Sequence, residues 1–404
     1  MPRVPESLAI LRERDFRMLF ASQAVSLLGD GMVNVALAFA VLGLDGSASD
    51  VGIVFAARML SLVACLLAGG VVADRASPRA VMVAADVVRL ASQGTMATLL
   101  IAGAADVWSL ALLAAITGAG TGFFIPAATG LMPAVVPPEH LQAANGLRVT
   151  AIAVGEIGGP ALGGLLVVAV GAGWAIGIDA ATFAVSGALL AGLRLPRRAE
   201  GEATSFLTEL REGWRAFRSR RWVWTVVLWA TFANVLNGAW TVLGPVVADR
   251  ELGGAAAWGA AGAALGAGGL VGGVLAIRLR PARPLLLAVA GFSVWGVPLA
   301  LLAAEAPLPA LAVAAFVSGA GVMLGQAVWD ATLQRHVPPG SLSRVSAYDW
   351  FGSLAFAPVG LAVWGPISAA IGLSAALWLA FALQMVTSAA VLSLPDVRRL
   401  RAEP

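Results

Sequence analysis

Apolar residues run along this chain in stretches of about twenty or more, separated by short polar breaks, over almost its whole length. A membrane-spanning helix takes about 20 consecutive apolar residues, whereas a strand buried in a soluble core takes about four to eight. The runs between breakers predict twelve spanning helices, near 17–44, 50–73, 80–103, 107–133, 141–170, 173–193, 222–248, 255–277, 284–303, 307–333, 342–370 and 372–394. The longest polar connection, 196–220, divides them into an N-terminal six-helix bundle (1–195) and a C-terminal one (221–404), with a cytoplasmic linker between. The expected fold is an all-α polytopic membrane protein built from two pseudo-symmetric bundles.

Three internal matches support the duplication. GVVADRASPR (70–79) slides onto GVLAIRLRPAR (273–283) at an offset of 203, so that Arg75 meets Arg278. Val136-Pro137-Pro138 repeats as Val337-Pro338-Pro339 at 201, and Asp30-Gly31 corresponds to Asn237-Gly238 at 207. Parallel six-span repeats are a transporter architecture, with the substrate site between the halves near the bilayer midplane.

Composition narrows the class. Of 404 residues 59% are hydrophobic and 12% charged, against about 25% charged in soluble domains. An ordinary soluble enzyme is excluded. The basic residues set the topology: with the N-terminus inside, the outer loops hold only Arg250, while Asp45, Asp50, Asp106, Asp249, Glu251 and Glu305 lie outside. By the positive-inside rule both termini are cytoplasmic. The Arg-rich start precedes an apolar run too long for a signal peptide, and is read as a retained first helix. The net charge of +3 reflects this placement and implies no nucleic-acid partner. The single Cys65 and the two histidines, His140 and His336, leave little from which to build a metal site or a catalytic triad. No cofactor or metal is expected.

Charges inside the spans carry the chemistry, because each costs at least about 2.5 kcal/mol on insertion scales and needs a cavity or a partner. Asp30 lies about 13 residues into span 1, or roughly 19 Å deep at 1.5 Å per residue. It belongs to a stripe of Ser22, Ser26, Asp30 and Asn34, one every four residues, with Gln23 beside it. A carboxyl at mid-membrane can bind and release a proton, which makes Asp30 the first proton-coupling candidate and Glu156 in span 5 the second. The other in-span charges are Arg58, Asp86, Arg89, Arg148, Asp179, Asp330 and Asp349. Asp86 and Arg89 stand three apart and can pair on one helix. Arg148 and Asp349 occupy equivalent places in the two repeats and are expected to help a cytoplasmic gate. Asp179 is expected to be structural. Ser26, Asn34, Asn234, Asn237, Trp240, Gln326 and Trp329 are the expected cavity-lining residues, suited to a large, partly aromatic ligand.

Span 5 holds Gly155, Gly159, Pro160, Gly163 and Gly164 in the pattern Gly-x-x-x-Gly-Pro-x-x-Gly-Gly. Such glycines let helix backbones approach closely, and the proline removes a hydrogen bond and bends the helix, so a hinge is expected there. At the 2–3 junction Gly70, Asp74, Arg75 and Arg79 can form a latch, the acid capping a neighbouring helix or pairing with Arg. In the second repeat Ile277 replaces that acid.

These residues resemble the major facilitator superfamily, in particular the drug-antiporter branch of macrolide-efflux proteins and enterobactin exporters. RDFRMLFASQAVSLLGDGMVNVAL is similar to that branch's first span, and GGVVADRASPR to the superfamily's 2–3 loop motif, with Ser77 and Pro78 as departures. ADVVRL (85–90), FIPAATGLMPAVVPPEHLQAANGLR (124–148), GPALGGLL (159–166) and IDAATFAVS (178–186) extend the likeness over most of the first half. The resemblance implies the major facilitator fold, and the span-5 motif implies antiport and hence export. Residues 111–121 lack the Arg usual in span 4 of many proton-coupled drug antiporters.

The expected function is secondary active export of a small hydrophobic or amphipathic molecule (drug, antibiotic, siderophore or other secondary metabolite) by alternating access. Protons are the coupling ion, the bilayer of the cell membrane is the environment, and the monomer is the working form. The alternatives are uptake or facilitative transport on the same fold, or a non-transporting receptor. An enzyme is not expected, since neither histidine lies in a span, and no phosphate-binding Gly-x-x-x-x-Gly-Lys-Ser/Thr motif marks an ATP-driven pump.

Overall fold

A computed structural model describes residues 10–75, 77–136, 141–193, 214–215, 217–279 and 281–401. All the regular elements among the described residues are helical: α1 (Arg14–Leu42), α2 (Ala48–Arg75), α3 (Pro78–Ile101), α4 (Val107–Val135), α5 (Leu141–Val170), α6 (Ala172–Ala191), α7 (Arg221–Val247), α8 (Ala255–Arg278), α9 (Pro284–Ser293), α10 (Gly296–Ala303), α11 (Leu308–His336), α12 (Pro339–Leu354), α13 (Ala357–Ile371), α14 (Leu373–Ser393) and α15 (Pro395–Arg399), with a short turn at Ile10–Arg12 before them. The first eight are spans 1 to 8. Span 9 is the pair α9–α10, span 10 is α11, span 11 is the pair α12–α13, and span 12 is α14. Most of the linker 196–220 lies outside the described residues.

Eleven stretches among the described residues are long and apolar enough to cross a membrane. The twelfth expected span, α3, is 24 residues long but too polar to qualify by composition. Its polar residues Asp86, Arg89, Ser92 and Gln93 are all buried. Ser186 and Asp179 on α6 and Thr117 on α4 receive them. Lipid therefore does not meet these four groups.

Spans 9 and 11 are each broken, where the sequence pattern reads as continuous. Each break falls four residues before a proline: Val294 precedes Pro298, and Leu354 precedes Pro358. Proline lacks an N–H, and its ring crowds the carbonyl four residues back, so the ladder ends there. Side chains take up the carbonyls around the breaks. The Ser318 hydroxyl donates to the Val294 carbonyl at 3.0 Å. Thr231 and the Asn234 amide, both on α7, donate to the Gly352 and Ser353 carbonyls at 2.8 and 3.2 Å.

The chain forms two compact units, one of Met1–Arg198 with Ala248–Ala263, the other of Ala199–Val247 with Ala264–Pro404. Each has its own apolar core, around Phe16, Met82, Leu131 and Leu190 in the first and around Val223, Leu285, Val289 and Leu333 in the second.

Within the first unit the span-5 glycines seat α5 against α1. A Cβ on Gly159 would stand 2.6 Å from the Gly31 Cα, one on Gly155 would stand 2.9 Å from the Leu27 carbonyl oxygen, and one on Gly163 would stand 2.9 Å from the Met32 Cα. The other side of the motif faces α8, where Gly164 meets Ala255 and Gly259, and Gly259 meets Pro160. The second unit repeats the first of these contacts. Gly238 on α7 faces Gly360 on α13, and a Cβ on Gly360 would stand 2.7 Å from the Val235 Cα. Gly159 and Gly360 are 201 residues apart, the offset that also relates the two Val-Pro-Pro motifs. The backbone contact belongs to the repeated unit itself.

Candidate functional site

Asp30 is half-buried on α1 and meets two arginines from different helices. Arg58 on α2 approaches one carboxylate oxygen at 3.4 Å, and Arg89 on α3 approaches the other at 3.9 Å. Arg58 also donates to the Asn34 amide oxygen at 3.0 Å, one turn along α1. The stripe expected on span 1 is thus partly a docking strip for Arg58. Ser22 and Ser26 at its other end are buried, and Ser22 donates to the Leu19 carbonyl.

Arg89 is the centre of the cluster. It is 1% exposed, pairs with Asp86 on its own helix, and lies between the rings of Phe124 and Phe183 at 4.2 and 4.3 Å. A planar guanidinium can stack on both faces while its edges hold carboxylates. Asp86 in turn accepts from Ser186 at 2.7 Å. Asp179, fully buried on α6, accepts from Gln93 at 3.1 Å and from Thr182 at 3.3 Å, and Asp30, Arg58 and Arg89 are its charged neighbours. The first unit therefore gathers three carboxylates and two guanidiniums from α1, α2, α3 and α6. With every group ionised the cluster carries one negative charge in excess, and with one proton aboard it is neutral.

The arginines of this cluster come from α2 and α3, whereas the region 111–121 on α4 contributes Thr117 to its edge through Ser92. Sequence reasoning names Arg58 only as an in-span charge. The usable signal was that an intramembrane cation demands a counter-ion, but nothing in the sequence sets the rotation of α2 that brings Arg58 to Asp30. Asp179 joins the same electrostatic group, beyond the structural role expected of it.

Glu156 is apart from the cluster. It is exposed on α5, and among the described residues it has no hydrogen-bond or ion-pair partner. Arg79 donates to the Leu193 carbonyl at 2.7 Å, tying the start of α3 to the end of the α6 segment. Gly70, Asp74 and Arg75 fall at the end of α2, and the side-chain contacts of the latch expected of them lie outside what the structure describes. Arg148 is half-buried in the first unit.

In the second unit a cavity of about 300 Å³ opens among α7, α9, α11, α12 and α14. Asn234, Asn237, Gln326 and Trp329, four of the expected lining residues, are on its wall. Trp240 is buried and meets Trp295, another wall residue, edge-on at 5.8 Å. Trp229, Phe292 and Trp350 make the wall largely aromatic. Asp349 is also on this wall, where it accepts a hydrogen bond from Trp329 Nε1 at 2.9 Å. Asp349, expected in a cytoplasmic gate, thus also lines this cavity, beside Trp329, which lies twenty positions earlier and was expected to line it. Gln326 donates to Asp330 at 2.9 Å. The repeats thus diverge in chemistry at equivalent places: Asn237 stands where the first repeat has Asp30, and the offset of 203 carries Arg89 onto Phe292. One unit concentrates charge, the other aromatic surface.

Comparison with known proteins agrees with this architecture. The chain is 29% identical over 411 residues to the multidrug efflux pump Tap of Mycobacterium tuberculosis, covering 96% of this chain and 95% of Tap. It is 24% identical over 354 residues to macrolide efflux protein A of Streptococcus pyogenes, covering 86% and 87%. The crystal structure of the nucleoside transporter NupG has the same fold, with a TM-score of 0.74 at 13% identity over 94% of this chain and 98% of that one. The family model described as Major Facilitator Superfamily matches residues 19–360. Helices that span a membrane, a repeated six-helix unit and a family match over most of its length lead to one conclusion: the chain belongs to the Major Facilitator Superfamily.

Proposed function

We propose that the chain is a secondary exporter of a small hydrophobic or amphipathic molecule (a drug, antibiotic, siderophore or other secondary metabolite) that works by alternating access in exchange for protons. It acts in the cell membrane with both termini cytoplasmic, as a monomer. Similarity to a multidrug efflux pump and a macrolide efflux protein supports export over uptake.

The observation that carries proton exchange is the cluster of three carboxylates and two arginines in the first unit, with Asp30 its most accessible acid. Ionised, Asp30 holds Arg58 and Arg89. Protonated, it releases both, because a neutral carboxyl binds a guanidinium far less strongly. A single proton therefore switches the contacts among α1, α2 and α3. Each proton moving inward down the gradient can supply about 2.3 kcal/mol per 100 mV of potential.

The test uses the purified full chain in proteoliposomes with an imposed proton gradient, after a drug panel that includes macrolides in an efflux-deficient host has named a substrate. Collapsing the gradient is expected to stop substrate accumulation, and Asp30→Asn to lower coupled export at least tenfold while folded yield is kept. Glu156→Gln is expected to stay within about twofold of wild type. Accumulation unaffected by the gradient would remove proton coupling, and wild-type export by Asp30→Asn would remove Asp30 as the carrier.

A further inference from the structure

The cavity of the second unit gathers polar atoms that its own protein leaves unused. Among the buried side-chain atoms that find no hydrogen-bond partner are Trp229 Nε1, Trp295 Nε1, Asn237 Oδ1 and Gln384 Oε1, and all four residues line this one cavity. Trp229 is 4% and Gln384 1% exposed. A buried polar group without a partner is costly, because it has given up its hydrogen bonds to water and gained none. All four atoms are closed off from water, so they sit just beneath the wall and open to a ligand only as their side chains turn. Two indole N–H groups ask for acceptors, and two amide oxygens ask for donors.

The fifth group is the Asp349 carboxylate, 7% exposed on the same wall. Its hydrogen bond from Trp329 is neutral, and among the described residues no arginine pairs with it or with Asp330. The chain has no lysine to offer. This contrasts with the first unit, where Asp30 and Asp86 each have an arginine. A carboxylate among aromatic faces, without a resident cation, recognises a cation brought by a ligand. Trp is the strongest of the aromatic faces for that purpose.

We propose that this cavity is a binding subsite for the protonated amine or other cationic end of an aromatic, amphipathic ligand. Asp349 is the counter-ion and the Trp229, Trp329 and Trp350 rings are the walls, while the orphan indole N–H groups and amide oxygens behind them meet the ligand's acceptors and donors once their side chains turn toward it. A volume of about 300 Å³ is at the lower end of drug-sized pockets, about 300–1,000 Å³. It suits a small polycyclic cation whole, or the basic group of a larger molecule. The inference deepens the export reading by naming the chemistry of the cargo, and rests on it for the site's use in transport.

The test is equilibrium binding to the full chain in lipid nanodiscs, read by tryptophan quenching and by dye fluorescence. The probes are ethidium, an aromatic monocation bearing amino groups, and phenanthridine, its uncharged parent ring. Wild type is expected to bind ethidium at least tenfold more tightly than phenanthridine. Asp349→Asn is expected to remove that preference, weakening ethidium about tenfold and leaving phenanthridine unchanged. Asp349→Glu should retain the preference, and decides the matter if the Asn variant fails to fold. Trp229→Phe, which keeps a ring and loses the N–H, should weaken both probes two- to fivefold. Ethidium affinity unchanged in Asp349→Asn, equal affinity for the two probes in wild type, or no binding of either overturns the proposal. The outcome is separable from that for export. Charge-selective binding without gradient-driven transport sinks the export reading alone, and gradient-driven ethidium transport indifferent to Asp349 sinks the subsite alone.

Discussion

Arg89 shows how much one side chain can hold together at the scale of the residue. It touches carboxylates on α1 and α3 and rings on α4 and α6, and it is buried completely. Replacing it by Leu would strand Asp86 as an uncompensated buried charge, a change that costs about 3–5 kcal/mol. Arg89→Leu is therefore expected to lower the melting temperature of the detergent-solubilised protein sharply. Arg89→Lys should recover little, because an ammonium can neither lie flat between Phe124 and Phe183 nor fork to two carboxylates. A melt within a degree or two of wild type for either variant would show that the cluster is electrostatically slack. The pairing of Asp86 with Arg89 could be read from their spacing of three. The reach of Arg58 to Asp30 could not, since it depends on how two helices are turned against each other, and their apolar faces leave that turn nearly free.

At the scale of the helix, number and order were legible because a run of about twenty apolar residues has one good solution in a bilayer. The interruptions were less so: Pro298 and Pro358 are visible in the sequence, yet Pro160 sits inside α5 without ending it. The difference lies in what is available nearby to satisfy the freed carbonyls. Ser318, Thr231 and Asn234 do this at the breaks, so that Asn234, expected as a cavity residue, is also a brace for α12. The glycine motif was legible as a close-packing signal but not in its target, which is α1 on one side and the start of α8 on the other. Gly159→Leu should force α1 from α5. Its expected effect is a loss of at least about 1–3 kcal/mol, the usual range for overpacking, seen as reduced folded yield and a lower melt. The equivalent Gly360→Leu should do the same through α7 and α13. A harmless substitution at either position would mean that the helices can part without penalty.

For the whole molecule, the two repeats carry different chemistry on one plan. Duplication explains the shared backbone contacts, and divergence explains why charge collects in the first unit and indole rings in the second. The units also do not follow the midpoint of the chain strictly, because Ala248–Ala263 groups with the first half. A fragment of residues 1–198 alone lacks that segment and leaves Pro160 and Gly164 uncovered. It is expected to melt below the full chain, and co-expression with 199–404 to restore the difference and to co-purify. Equal stability of the lone fragment would show that the segment adds nothing to the first unit.

The contact of Gly31 with Gly159 has a mechanical meaning. At that point α1 and α5 touch main chain to main chain, with no side chain of either glycine to compress, slide or re-rotamerise. A torque applied to one is therefore expected to pass to the other, with α1 and α5 turning together. Asp30, one residue from that joint, would then move with both helices, and loosening its grip on the arginines would free them at once.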